Sequence, residues 1–184
     1  MMKINKTALE GVLLLEPCRY HDERGYFMEV LRLSDLSAAA GHPINFVQEN
    51  ESKSKYGVLR GLHYQLPPHA QAKLVRVVSG RVWDVAVDIR RHSPTFGAHF
   101  GVELSAENSC QLYIPEGFAH GFVALSDEAV LQYKCTDYYH PECEGGIAWD
   151  DPQLAIPWPI APEAILLSEK DRRHGVLNNS QCFE

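Results

Sequence analysis

The chain has 184 residues, 45% of them hydrophobic, which is enough for one domain with a sizeable core and short for two. Its formal net charge of −7 argues against a general nucleic-acid binder, which carries a basic balance, but leaves room for one small anion held by local cations. No apolar run approaches the roughly 20 residues needed to span a bilayer.

The opening Met1-Met2-Lys3-Ile4-Asn5 lacks the long apolar stretch of a secretory signal. Cys18, Cys110, Cys135, Cys143 and Cys182 are scattered, without CxxC pairing or metal spacing. That pattern fits reduced thiols in a cytoplasm.

Leu9 to Leu15 reads as a first strand, and Pro17 to Gly25 as a polar turn. Tyr26 to Leu31 follows as a strand by β-propensity, with Phe27 and Glu29 on one face. Leu33 to Ala40 predicts a short helix, with Ser34 as N-cap and Gly41 as the stop. Ile44 to Ser52 is a further strand that puts Phe46, Gln48 and Asn50 on one face.

Residues 57–80, GVLRGLHYQLPPHAQAKLVRVVSG, hold two strand-like runs around Pro67-Pro68. The first carries Arg60 and His63, and the second opens with Lys73. A titratable imidazole and two cations on neighbouring strands make a candidate site. Arg60 and His63 are an odd number of residues apart, so strict alternation sends them to opposite faces. A bulge at Gly61 or a pocket shared between two subunits would reconcile them.

Arg81 to Ile89 alternates cleanly, Trp83, Val85, Val87 and Ile89 against Asp84, Ala86 and Asp88. Gly97 to Leu104, Cys110 to Ile114, Gly121 to Leu125 and Ala129 to Thr136 bring the total to about ten short strands. The chain from Pro141 on is irregular and rich in Pro and Trp, and Ser168 to Arg173 reads as a short helix. Many short strands with little helix predict an all-β sandwich or barrel, drawn as a single domain over 1–184.

His63 in a Gly-rich strand, and His120 after the turn Pro115-Glu116-Gly117, resemble the two motifs of the cupin jelly roll. Metal-binding cupins usually supply a His-x-His pair and a Glu from the first motif. Here the run reads His63-Tyr64-Gln65 without the Glu, and Lys73 lies nearby. Half the ligand set is missing, so no metal is expected.

Longer runs resemble the dTDP-4-dehydrorhamnose 3,5-epimerase family. They are His21 to Glu29, Gln48-Glu49-Asn50, Gly57 to Gln65, Asp88-Ile89-Arg90 with Ser93 to Gly97, and Ile114 to Phe122. Tyr133-Lys134 with Asp137-Tyr138-Tyr139, Trp149 to Pro152 and Leu167 to Asp171 continue the likeness in order. The resemblance implies a cofactor-free homodimer with the cupin fold. It implies inversion at C3 and C5 of a 4-keto-6-deoxy sugar nucleotide.

By resemblance, His63 is the base and Asp171 holds its tautomer. An imidazole's ordinary pKa of about 6.5 suits proton abstraction near neutral pH. Lys73 would face the developing enolate oxygen. Tyr133 would return a proton on the opposite face, and alternation with Leu131 and Cys135 points it inward. Arg24 and Arg60 are diphosphate candidates, and Tyr139 and Phe27 would flank the base. Glu29, Gln48, Asn50, His120, Glu144 and Lys170 match the family's remaining ligand positions.

Bland readings stand beside these. Ser168 to Asp171 fits a capping-box variant, in which Asp171 only closes a turn. Arg24, Glu29 and Arg60 could form a surface ion network, Lys73 could be a solvated strand end, and His120 could merely cap its turn. His21, His42, His69, His92, His99, His140 and His174 read as surface residues.

Three other functions compete. A mono-epimerase would exchange protons at C3 or C5 only, a metal-dependent cupin would hold stoichiometric metal, and a sugar-binding jelly roll would show no turnover. A homodimer is also expected from the family and from the apolar run Val12 to Leu15, which could extend a neighbour's sheet.

Overall fold

A computed structural model describes residues 2–184; Met1, which opens the N-terminal stretch above, lies outside the described residues. The strands are β1 (Lys3–Lys6), β2 (Leu13–Glu16), β3 (Arg19–Asp22), β4 (Gly25–Met28), β5 (Gln48–Lys55), β6 (Leu59–Gln65) and β7 (Lys73–Ser79). They continue as β8 (Arg81–Asp88), β9 (His99–Ser105), β10 (Gln111–Ile114), β11 (Phe118–Ala124), β12 (Glu128–Cys135) and β13 (Glu144–Gly146). One α-helix, α1 (Leu33–Ala40), joins them, and no helix among the described residues is long and apolar enough to cross a membrane.

All strand pairings between the named strands are antiparallel. One sheet runs β1-β2-β10-β7-β12-β5 and faces a second that runs β13-β6-β11-β8-β9, while β3 and β4 form a separate hairpin. This is the expected all-β jelly roll of cupin type.

Three apolar layers hold it. Between the sheets, Val75, Val77 and Leu131 pack against Val82, Leu104 and Phe122. Outside the smaller sheet, Leu62, Val85, Val87 and Ile89 meet Ile147, Leu154 and Leu177 of the C-terminal segment. Outside the larger sheet, Leu13, Leu15, Leu74 and Tyr113 pack on Leu36 of α1 and Ile44. Strand β8 is therefore covered on both faces. Its apolar side lies under the C-terminal segment, while Asp84, Ala86 and Asp88 face inward and are fully buried.

Asp88 is satisfied by Arg90 at 2.7 Å and by the hydroxyls of Ser93 at 2.6 Å and Thr95 at 2.7 Å. Burial alone would raise its pKa, but these donors hold it below the usual carboxylate range.

Several expectations are corrected. Leu9 to Leu15 is a strand only from Leu13, preceded by a turn in which Gly11 takes a φ of 93°. The stretch read as a turn, Pro17 to Gly25, contains β3, and Tyr26 to Leu31 is strand only to Met28. The strand placed at Ile44 to Ser52 begins at Gln48 and runs on to Lys55. Helix α1 has the expected span and the left-handed Gly41 stop. Its N-cap is Arg32 rather than Ser34, whose hydroxyl bonds Asp35 inside the first turn.

The run Val12 to Leu15 has no free edge to offer a neighbour. Strand β2 is paired on both sides, by β1 and by β10, so β1 is the edge. All five thiols are free.

Candidate active site

Strand register builds the inner wall. Across β7, β12 and β5, one row reads Lys73, Cys135 and Gln48, and another reads Val75, Tyr133 and Asn50. On the facing sheet, β6 and β11 pair His63 with His120 and Arg60 with Phe122. Two residues of β6, Gly61 and Leu62, oppose only Gly121 on β11, which makes a bulge. The bulge resets the alternation, so Arg60 and His63 border the same cavity. Gly61 has φ 136°, and a Cβ there would sit 2.5 Å from the Cα of Gly121, so the bulge demands glycine.

The space between the sheets opens into two lobes of about 480 and 380 Å³. His63, Lys73, Tyr133 and Lys170 border both. Arg60, His120 and Asp171 border the first, and Gln48, Asn50, Tyr139 and Glu144 the second.

His63 Nε2 lies 2.5 Å from Asp171 Oδ1. Asp171 is 5% exposed and opens a 3-10 turn over Asp171–Arg173, in place of the longer helix expected from Ser168. The Ser168 hydroxyl donates to Asp171 Oδ2 at 2.7 Å and accepts the Asp171 amide at 3.1 Å. The turn-closing role and the contact with His63 therefore coexist in one carboxylate. Burial would raise the Asp171 pKa, but the hydrogen bonds from His63 and Ser168 outweigh it and hold the group ionised. An ionised carboxylate only accepts, so His63 carries its proton on Nε2 and keeps the Nδ1 lone pair available.

Burial pulls the Lys73 pKa down, against the opposing fields of Cys135, Glu144 and Asp84. Burial pushes the Tyr133 phenol up, reinforced by Cys135 and opposed by Arg60 and Asn50. At the outer lobe, Glu144 accepts from Tyr139 at 2.8 Å and pairs with Lys170. Gln48 accepts the Tyr139 amide at 3.0 Å and donates to Asn50 at 3.0 Å. Arg60 donates to Ser54 and to the Lys53 carbonyl.

Sequence reasoning missed two neighbours of these residues. Asp84, fully buried, lies 2.9 Å from His120 Nε2 and fixes that ring. An acidic residue inside the apolar run Val82 to Val87 was the available signal. His174, read as a surface residue, is half-buried, and its ring meets His63 edge-on at 5.3 Å. His69, His99 and His140 are likewise half-buried rather than exposed.

Three of the expected ligand residues lie elsewhere. Arg24 and Phe27 sit on the β3–β4 hairpin and Glu29 just after it; Arg24 pairs with Asp22 and Glu29 with Arg32 at 2.8 Å, while Phe27 is 71% exposed. None of the three borders either lobe.

The fold and cavity define a cupin-type jelly roll with an imidazole–carboxylate pair, an amine and a phenol around one space. Residues 6–179 match the family model described as dTDP-4-dehydrorhamnose 3,5-epimerase. The dTDP-4-dehydrorhamnose 3,5-epimerase of Pseudomonas aeruginosa is 52% identical over 99% of this chain and 99% of its own length. The crystal structure of the same-named enzyme from Elizabethkingia anophelis superposes with TM-score 0.93 at 50% identity, covering 97% of each chain. A Legionella pneumophila 3,5-epimerase solved with dTDP-4-keto-L-rhamnose has TM-score 0.93 at 51% identity, over 97% of this chain and 94% of that one. The chain belongs to the dTDP-4-dehydrorhamnose 3,5-epimerase family.

Proposed function

We propose that this chain converts dTDP-4-dehydro-6-deoxy-D-glucose to dTDP-4-dehydro-L-rhamnose by inverting C3 and C5 without a cofactor. The observation that carries the reading is that His63, Lys73 and Tyr133 border the same two lobes. His63 takes the proton α to the C4 ketone, and the electron pair moves onto the ketone oxygen. Lys73, positive and largely shielded from water, stabilises that enolate. Tyr133 returns a proton to the other face as the ketone re-forms, and exchange with water resets both groups. Two such cycles, at C3 and at C5, complete the reaction.

In D2O, product NMR should show one deuterium at C3 and one at C5. Incorporation at a single carbon would instead make the chain a mono-epimerase, and no incorporation would reject the reading.

The lysine and the phenol titrate in opposite directions from their ordinary values. As pH rises, Lys73, pulled down by burial, loses its charge earlier than an exposed lysine would, while burial holds the Tyr133 proton past the ordinary phenol range. The enolate needs the charged amine, so kcat falls on the alkaline side through the Lys73 pKa. Lys73→Arg keeps its charge and should carry that limb to higher pH, as a kcat–pH profile would show. An unmoved limb would remove Lys73 from this role.

The protein works as a cytoplasmic homodimer in which the β3–β4 hairpin reaches the partner's cavity. Support comes from Arg24, Phe27 and Glu29 lying away from their own cavity, beside the exposed rings of Tyr20 and Tyr26. Arg24 would then meet the diphosphate and Phe27 the base of the substrate in the other subunit. Light scattering should give twice the 20.7 kDa chain mass. Co-expressed Arg24→Ala and His63→Asn chains should recover about a quarter of wild-type activity, because half of the dimers are mixed and each has one intact site. A monomer, or no recovery, would reject the crossing hairpin.

A further inference from the structure

We propose a zinc-type divalent-cation site at His69, Asp137, His140 and Glu142, outside the catalytic cavity. Two loops meet there, one after β6 carrying His69 and one after β12 carrying the other three. The imidazoles stack face to face, centroids 3.4 Å apart and planes 7° from parallel. His69 Nδ1 lies 2.9 Å from Asp137 Oδ2, and His140 Nδ1 lies 3.0 Å from Glu142 Oε1. One donor atom from each of His69, Asp137 and His140 lies within 4.8 Å of the other two. Glu142 adds a second carboxylate through its contact with His140.

Two imidazoles and two carboxylates are a donor set for zinc, cobalt or nickel rather than for calcium or magnesium, which favour oxygen alone. A bound ion replaces two N–H···O contacts with two metal–nitrogen and two metal–oxygen bonds, each neutral ring keeping its one proton on Nε2 while Nδ1 turns its lone pair to the ion. The rings are half-buried, so modest tilts out of the stack turn both lone pairs toward one ion.

The backbone beneath is already held. Gln65, 4% exposed, donates to the His69 and Tyr138 carbonyls and accepts the His140 amide. Gln71 donates to the carbonyls of Asp137 and Tyr138. Both loops are therefore pinned with their side chains converging, a second layer that positions ligands before the ion arrives. An ion here clips the loop that carries Tyr139 at the rim of the cavity to the loop after β6.

The test is calorimetric titration of the full chain with zinc chloride, paired with visible absorption on cobalt loading. Wild-type protein should bind one equivalent and give the absorption of histidine-ligated cobalt. His69→Ala and His140→Gln should each weaken zinc at least about tenfold. Glu142→Gln, an exposed and conservative change, should weaken it as well, and serves if a histidine variant fails to fold. His174→Ala should leave zinc affinity unchanged, because that ring belongs to the other His/Asp group, His63, Asp171 and His174. Failure to bind zinc, unchanged affinity in the His69, His140 and Glu142 variants, or loss in the His174 variant would overturn the site.

Discussion

His63→Asn is expected to lower kcat by about 10³-fold, with a smaller change in KM. Asparagine can still meet Asp171 through its amide but has no lone pair basic enough to take a carbon-bound proton. Transition-state chemistry is lost while the cavity lining by Arg60, Gln48 and Lys170 remains. Asp171→Asn should cost less, about 10²-fold, because the imidazole survives but loses the anion that fixes its tautomer and offsets its positive charge during the reaction. Asp171 also closes its turn through Ser168, so its variant needs a melting curve beside the kinetics. Turnover of His63→Asn within tenfold of wild type, in a protein that melts normally, would take the base away from His63.

Much of the fold could be read wherever burial imposes a period. The alternation in β8 is legible because its two faces meet different layers, Trp83, Val85 and Val87 under the C-terminal segment and Asp84 and Ala86 toward the cavity. Strands β1 and β3, KINK and RYHD, were invisible for the opposite reason. They are mostly exposed and exist by backbone pairing, which leaves no apolar pattern. The Ser34 cap failed because the helix already begins at Leu33, which leaves the cap to Arg32, an exposed and extended residue with no side-chain cap.

The site divides in the same way. Lys73, Tyr133, Gln48 and Asn50 follow from alternation once β5, β7 and β12 are paired. Placing His63 with Arg60 needed the bulge, which Gly61 suggested and the register with β11 shows. Asp84 escaped because nothing local says that an acidic residue on a strand will meet a histidine 36 positions away. Arg24, Phe27 and Glu29 carry the family's pattern, yet none of them borders the cavity of their own chain.

Tyr133→Phe should separate two events that wild-type turnover fuses. It removes one hydroxyl and keeps the ring packed on β12, so stability should hardly change. His63, Asp171 and Lys73 remain, and α-proton abstraction should continue. The enolate then lacks its donor on the far face and collects a proton again from His63, returning the starting configuration. In D2O the recovered substrate should therefore gain deuterium while epimerised product falls by about 10² to 10³-fold. The phenol's raised pKa fits this assignment, since burial keeps it protonated throughout the neutral range and ready to donate. If exchange and product formation fall together, as far as in His63→Asn, the hydroxyl serves proton removal instead. If product formation is untouched, the proton on the far face comes from water or another side chain. Only persistent exchange without inversion matches an imidazole and a phenol acting on opposite faces of one sugar.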